Sequence, residues 1–402
     1  RRGTIGTYKM ATKKSMKIPI AKTNLKEKEI NSILEPLKSG WLVQGPIVKK
    51  FEQKWSNFTK SRFSIAVTSC TSGLHLSLAA LGIASEDEVI VPAFTWISTA
   101  NVVEHVGAKV VFCDIDINTF NIDCSEIERK ITSKTKAIIP VHLFGLPANM
   151  KKINELAKKY SLFVVEDAAC GFGAKFFNTH VGSLGDLGVF SFHPRKAITT
   201  GEGGMITTNS KKLTSKILKL RDHGASTSDL QRHLGNKPYL LSDHYEAGFN
   251  TRMTDLQAAL GSAQMDRAKK ITKERKEIAK KYNEAFKDLD WLVTPIKQEG
   301  YEHGFQSYPC LFKPSNISLK NVELISKKRN KWMDSLLHKG ISTRPSTHAV
   351  HMLNFYKEKY KHKPEDFLQS YIANHCSVSL PLYHGITEKE QDYVIKTVIK
   401  SL

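Results

Sequence analysis

The stretch LFVVEDAACGFGAKFFNTHVGSLGDLGVFSFHPRKAITTGEGGMITT, from Leu162 to Thr208, decides how the rest of the chain is read. It holds three compact apolar runs, Leu162–Glu166, Leu187–Phe192 and Gly204–Thr208, built on Val, Ile, Leu and Phe. Runs of this length that do not alternate with polar residues predict strands buried on both faces, as in a largely parallel sheet covered by helices. Polar and glycine-rich punctuation separates them. Glu166-Asp167-Ala168-Ala169-Cys170 ends the first run, and His193-Pro194-Arg195-Lys196 follows the second. Thr200-Gly201-Glu202-Gly203 leads into the third. Open α/β sheets place ligands at strand ends, so these three joints are also where chemistry is expected.

Working outward, four further runs read the same way: Phe63–Val67, Glu88–Val91, Lys109–Phe112 and Ala137–Val141. Helical patterns such as Leu74–Leu81 and Met150–Lys159 lie between them, giving an α/β layer architecture with seven strand candidates. Residues 221–250 form a polar excursion of the kind that is functional or lies at an interface. Thr254 and Gln257 make a capping box at the start of a helix with Leu256, Ala259, Leu260 and Ala263 on one face. That helix is expected to run on as a solvated basic segment to Lys281. After Trp291 the signals restart: strands at Tyr308–Phe312 and Ser377–Leu380, helices at Val322–His338 and Thr387–Ser401. The expected domains are 18–285, large, and 286–402, smaller and also α/β, after a Lys-rich tail over 1–17 without regular structure. Met10 and Met16 are candidate starts.

The 402 residues are 41% hydrophobic and 25% charged, a globular composition that excludes collagen-like, coiled-coil and wholly disordered chains. The unusual quantity is charge: 60 Lys+Arg against 39 Asp+Glu leave +21, which suggests anionic partners. No helix-turn-helix, RRM, KH or finger pattern supports nucleic acid, and no apolar run approaches the ~20 residues of a membrane helix. The six cysteines are scattered without metal-ligand spacing, so reduced thiols, no metal and a cytoplasmic location are expected.

Four strand-end motifs carry chemistry. Ser69-Cys70-Thr71-Ser72-Gly73 opens a helix, where backbone N–H groups and the helix dipole can cradle a phosphate; helix capping explains the hydroxyls equally well. Trp96, in Pro92-Ala93-Phe94-Thr95-Trp96, can stack on a planar ligand or fill a core. Asp167 puts a carboxylate at a sheet end, as an N-cap would. Lys196 lies in a constrained, glycine-flanked turn beside an apolar strand, a setting that can make a lysine nucleophilic. Phosphate cradle, aromatic platform, carboxylate and lysine together are the parts of a pyridoxal 5'-phosphate (PLP) site.

The sequence also resembles the DegT/DnrJ/EryC1/StrS family of PLP-dependent sugar aminotransferases, of fold type I, from about Ile18 onward. The resemblance rests on Gly40-Trp41, Ser69-Cys70-Thr71, Pro92-x-x-Thr95-Trp96, Val141–Gly145, Glu166–Ala169, Ser191–Lys196 with Gly201–Gly204, Phe249–Asp255 and Thr343-Arg344-Pro345. It implies a seven-stranded large domain plus a smaller C-terminal one. It implies that Lys196 is the aldimine lysine and proton shuttle, with pyridoxamine 5'-phosphate (PMP) as the cofactor's other form. Asp167 would partner the pyridinium nitrogen, Trp96 would stack on the ring, and Ser191, Cys70 and Thr71 would hold the phosphate. Asn250 would reach the phosphate of the second subunit of a homodimer with shared sites. Substrate contacts are implied at Trp41, His193, Arg344 and His351. Two departures stand out. Cys70 replaces a common glycine, and Cys170 replaces a Gln, His or Glu facing the cofactor's phenolic oxygen. The implied activity is transfer of an amino group from glutamate to a 4-keto-6-deoxy nucleotide sugar for O-antigen, capsule or glycoside synthesis. A 3-keto sugar, keto-inositol or keto-octulosonate is the alternative acceptor.

Overall fold

The computed structural model describes residues 16–237 and 239–401. Most of the tail expected to lack regular structure, residues 1–15, therefore lies outside the described residues. From Ile18 the chain is anchored, its backbone bridging Ile341.

Seven strands form the main sheet: β1 (Phe63–Val67), β2 (Glu88–Pro92), β3 (Lys109–Cys113), β4 (Thr135–Ile138), β5 (Phe163–Asp167), β6 (Leu187–Ser191) and β7 (Gly204–Thr208). Their spatial order is β1-β7-β6-β5-β4-β2-β3. Every neighbouring pair is parallel except the two made by β7, which runs against both β1 and β6. Each predicted run is a strand, shifted by no more than a few residues. All five residues of β2 and of β7 are buried, as expected of unalternating runs. Helices on both faces close the layers, among them α1 (Pro46–Thr59) and α2 (Cys70–Ala80). The second starts four residues before the apolar pattern does, because Ser69 caps it by accepting from the Ser72 N–H.

Residues 221–250 contain one short helix, Asp229–Leu234, among turns, close to expectation. The Thr254 capping box is present and opens α3 (Asp255–Met265). The expected continuous helix is broken, however. Asp266 accepts from Lys54 and Lys28, Arg267 turns away to pair with buried Glu29, and α4 begins afresh at Ala268–Phe286. Nor is α4 simply solvated. It buries Ile271, Ile278, Ala279, Tyr282 and Phe286, and also Arg275.

Beyond α4, strands β8 (Leu292–Val293), β9 (Tyr308–Phe312) and β10 (Ser377–Leu380) form a second, antiparallel sheet in the order β8-β9-β10. Helices Val322–His338, Leu368–Cys376 and Glu388–Ile399 accompany it. Its core contains Tyr308, Phe312, Trp332 and Val378 and continues into Tyr282 and Phe286 of α4. Among the described residues no helix is long and apolar enough to cross a membrane.

Candidate active site

Because β7 is reversed, its first residue lies beside the last residues of its neighbours: Gly204 pairs with Val67 on one side and Ser191 on the other. The start of α2 sits directly above. A Cβ placed on Gly204 would come within 2.6 Å of the Ser69 carbonyl carbon and 2.7 Å of the Cys70 nitrogen. Only glycine lets the helix N-terminus descend this far onto the sheet. Ser69 caps the helix from its own side chain, and among the described residues the N–H groups of Cys70 and Thr71 find no acceptor. Two free donors at the positive end of an eleven-residue helix suit an anion. The Cys70 thiol turns away from them. Its Sγ lies 3.7 Å from the Val189 carbonyl oxygen, and burial pushes its pKa well above the usual range, so it stays a neutral thiol.

Two strands away, Asp167 ends β5 and is 3% exposed. The Thr99 hydroxyl donates to its Oδ2 at 2.8 Å and the Ala169 N–H to its Oδ1 at 3.1 Å. Burial raises its pKa; those two bonds, and the charges of Lys196 and His142, act in the other direction. No cation lies within ion-pair distance among the described residues, so this buried carboxylate would gain from a positively charged partner. The adjacent Glu166 faces the other side of the sheet, as strand alternation requires. It is fully buried, bonded to His142 Nε2 at 2.8 Å and accepting the N–H groups of Gly182, Leu184 and Gly185. His142 Nδ1 accepts from the Ala148 N–H, which leaves the Nε2 proton for Glu166. The His142 backbone in turn donates to the Asp167 carbonyl at 3.0 Å. This brace was not read from the sequence. The Val141–Gly145 motif was its only signal.

Lys196 lies between these parts. Its Nζ donates toward Cys170 Sγ at 3.2 Å. His193, Arg195 and Arg344 lie within electrostatic reach of one another, and His193 also of Lys196. His193 is held below its ordinary pKa by burial, with Lys196, Arg195 and Arg344 adding to the effect and Glu202 opposing it. Arg344 is brought from the second sheet, where its backbone pairs with Ser379. Its buried Nε has no hydrogen-bond partner among the described residues, a donor held ready for an acceptor. Burial and the neighbouring Arg195 both lower its pKa. Trp96 is 59% exposed, its ring 5.8 Å from that of His348. Ser191 accepts at Oγ from the His193 N–H.

Three expected site residues are not in this cluster. Asn250 is exposed, its backbone bridging Asp222. Trp41 packs edge-on against His233 with ring centroids 5.1 Å apart and donates to the Gln44 carbonyl. His351 is fully buried against Phe112 and Phe367. A side chain with no accessible surface has no face for a substrate, so the expected contact from His351 is not met. The sequence reading also missed Thr99, Arg275 and Gln306, which bond groups 68, 30 and 111 positions away.

An electron-sink cofactor with a phosphate, an aromatic ring and a protonatable ring nitrogen fits these groups. The helix start would receive the phosphate, Asp167 the nitrogen and Lys196 the aldehyde carbon. Fold and site together define a PLP-dependent aminotransferase. The chain belongs to the DegT/DnrJ/EryC1/StrS aminotransferase family, whose model matches residues 23–399. It is 36% identical to the spore coat polysaccharide biosynthesis protein SpsC of Bacillus subtilis over 97% of this chain and 98% of that one. It is also 36% identical to GDP-perosamine synthase of Escherichia coli O157:H7, over 95% and 97%. Among solved structures it resembles the sugar aminotransferase Spr1654 of Streptococcus pneumoniae. The PMP form superposes with a TM-score of 0.86 at 28% identity, covering 94% of this chain and 98% of that one. The PLP form gives 0.85 at 27%, covering 95% and 97%.

Proposed function

We propose that the protein transfers an amino group from glutamate to a 4-keto-6-deoxy nucleotide sugar, with 2-oxoglutarate as the first product. The observation that carries this reading is the placement of Lys196 beside Cys170, within electrostatic reach of Asp167 and of His193, which Arg195 and Arg344 also reach. The cofactor, when bound, supplies an aldehyde that can exchange amines and a ring that accepts the electrons released at the substrate carbon. Lys196 holds the aldehyde carbon at rest. Its Nζ, once free, would be the base that carries the proton leaving the donor's Cα. Asp167 would hold the ring nitrogen protonated, Trp96 would cover the ring, and Ser191 with the Cys70 and Thr71 N–H groups would anchor the phosphate. Arg344, with its unpartnered Nε, binds an anionic group of donor or acceptor; His193 and Trp41 line the acceptor side.

The relatives that support the acceptor class are the perosamine synthase and the spore coat polysaccharide protein. A homodimer with shared sites fits the exposed apolar side chains on 27–45 and 221–250. Leu37, Val43, Leu234, Leu241 and Tyr245 are each more than half exposed, an unusual density for a free surface. In that assembly Asn250 and Trp41, which lie outside their own Lys196 cluster, serve the neighbouring copy. Residues 18–285 and 286–402 act as the large and small domains.

The test is a glutamate-to-2-oxoglutarate assay across ketosugars that include 3-keto sugars, keto-inositols and keto-octulosonates. Fastest turnover on a 4-keto-6-deoxy nucleotide sugar is expected; preference for another acceptor selects the alternative. Added PLP should give a visible absorbance that borohydride abolishes. In Lys196→Ala that absorbance should be missing and turnover should fall at least about a hundredfold. Its persistence in Lys196→Ala sinks the assignment.

A further inference from the structure

The backbone that carries Lys196 is gripped on both sides by one amide side chain. Gln306 Nε2 donates to the Arg195 carbonyl at 2.6 Å, and the Ala197 N–H donates to Gln306 Oε1 at 3.2 Å. The two bonds fall on the residues before and after the lysine. A second glutamine, Gln264, pairs the same way with both backbone groups of Thr199, three residues further on. The loop thus gains side-chain partners in place of a neighbouring strand.

Gln306 is itself fixed at every polar atom. Its N–H donates to the Phe144 carbonyl at 2.8 Å, and its carbonyl accepts from Nη2 of buried Arg275. Arg275 Nε donates to the preceding carbonyl, that of Phe305, at 2.9 Å. The turn that receives this segment is built for close approach. Phe144 has φ 58°, and Gly145 has φ 101°. A Cβ on Gly145 would stand 2.9 Å from the Phe305 nitrogen and 3.0 Å from that of Gln306. Two residues beyond Gln306, β9 begins in the second sheet; a few residues before it, Tyr301–Glu302 pairs with Lys175–Phe176 beside the main sheet. Gln306 therefore sits on the crossing between the two sheets and holds the lysine loop from there.

We infer that Gln306 is a positioning residue for Lys196. Its bidentate amide, backed by Arg275 and the Phe144–Gly145 turn, sets where the lysine side chain leaves the backbone and ties that point to the crossing segment. The inference rests on the role proposed above for Lys196. A displacement of about 1 Å in a reacting group costs on the order of a hundredfold in rate, so loss of two flanking restraints is expected to show in turnover before it shows in binding.

The test uses the full chain and two variants that keep the side chain's size. Gln306→Met removes both arms; Gln306→Glu keeps the acceptor for Ala197 and loses the donor to Arg195. Hydrogen exchange of the cofactor-free protein should show the Ala197 amide exchanging at least about tenfold faster in Gln306→Met but staying protected in Gln306→Glu, since an exposed amide loses its bond-linked protection. On adding PLP, the borohydride-sensitive absorbance should develop about tenfold more slowly in Gln306→Met, and kcat should fall about tenfold with the donor KM within about twofold, Gln306→Glu lying between. Unchanged Ala197 exchange in Gln306→Met overturns the inference. So does faster exchange with unchanged kcat and unchanged development of absorbance. Failure of the Lys196 reading is distinguishable, because it would remove the absorbance from the unsubstituted chain, whereas failure of the clamp leaves it and makes Gln306→Met equal to the parent.

Discussion

Burial strips the Asp167 carboxylate of most of its hydration, and the bonds from Thr99 and Ala169 return only part of it, so its pKa rises above the ordinary 3.8. The sign follows by linkage. Above pH 3.8 the native cofactor-free state binds more protons at this site than the unfolded chain does. Stability therefore falls as pH rises through the window between the ordinary and the raised value. Asp167→Asn has no charge to bury; its Oδ1 still accepts from Ala169, and the Thr99 hydroxyl can accept from its amide. Without cofactor, this variant should unfold at a higher temperature than the parent at pH 7, by roughly 2–4 °C for each kcal/mol regained. The difference should close toward pH 4 in thermal melts. Its turnover should nevertheless fall about a hundredfold or more, because a neutral amide cannot hold the ring nitrogen protonated. An equal or lower melting temperature at pH 7 would show that the carboxylate is not a burden.

At the scale of elements, the α2 start and β7 act as one unit, since Gly204 is what lets them touch. Gly204→Ala must push the helix start away by several tenths of an ångström. Overpacking of this kind costs about 1–3 kcal/mol. The displaced Cys70 and Thr71 donors should weaken PLP affinity about tenfold in an equilibrium titration; an unchanged affinity would disconnect the cradle from the cofactor. This scale also divides what the sequence displayed from what it hid. The seven strands were legible because runs such as Glu88–Val91 and Gly204–Thr208 are buried on both faces and therefore apolar throughout. Lys196, Asp167 and Trp96 were legible because each follows such a run and stands in a recognisable motif. The break at Asp266 was not, because its causes, Lys54, Lys28 and Glu29, lie more than two hundred residues away. Gln306 and Thr99 were hidden for the same reason, and Arg275 was masked by the lysines around it. His351 misled because a histidine after a Thr-Arg-Pro motif looks polar and available, whereas packing walled it in.

For the molecule as a whole, the proposed sharing of sites between two copies makes a prediction that one subunit alone cannot satisfy. Lys196→Ala and Asn250→Ala should each be nearly inactive as homodimers. Mixed and allowed to exchange subunits, they should form hybrids in which one site carries both defects and the other carries neither, restoring up to about a quarter of the parental activity. Mixing that restores nothing, although mass measurement shows hybrids, would place Asn250 outside the neighbouring site. The +21 charge is also best understood at this scale. Arg195 and Arg344 are proposed to meet anions at the site, whereas Lys270 and Lys273 on α4 pair with carboxylates on their own helix and need no polyanionic partner.

The reversed strand bears on the order in which the molecule can come into being. At the sheet's edge the one strand that pairs with β1 among the described residues is β7, and residues 63–67 must wait for residues 204–208 before they can join. Thr68 and Val67 are further tied to Thr251 and Arg252. A nascent chain emerges N-terminus first at about 5–20 residues per second. The anchorage proposed for the phosphate, although encoded near residue 70, can thus be completed only once the first two hundred and fifty residues have been made, and no cofactor can be held there before then.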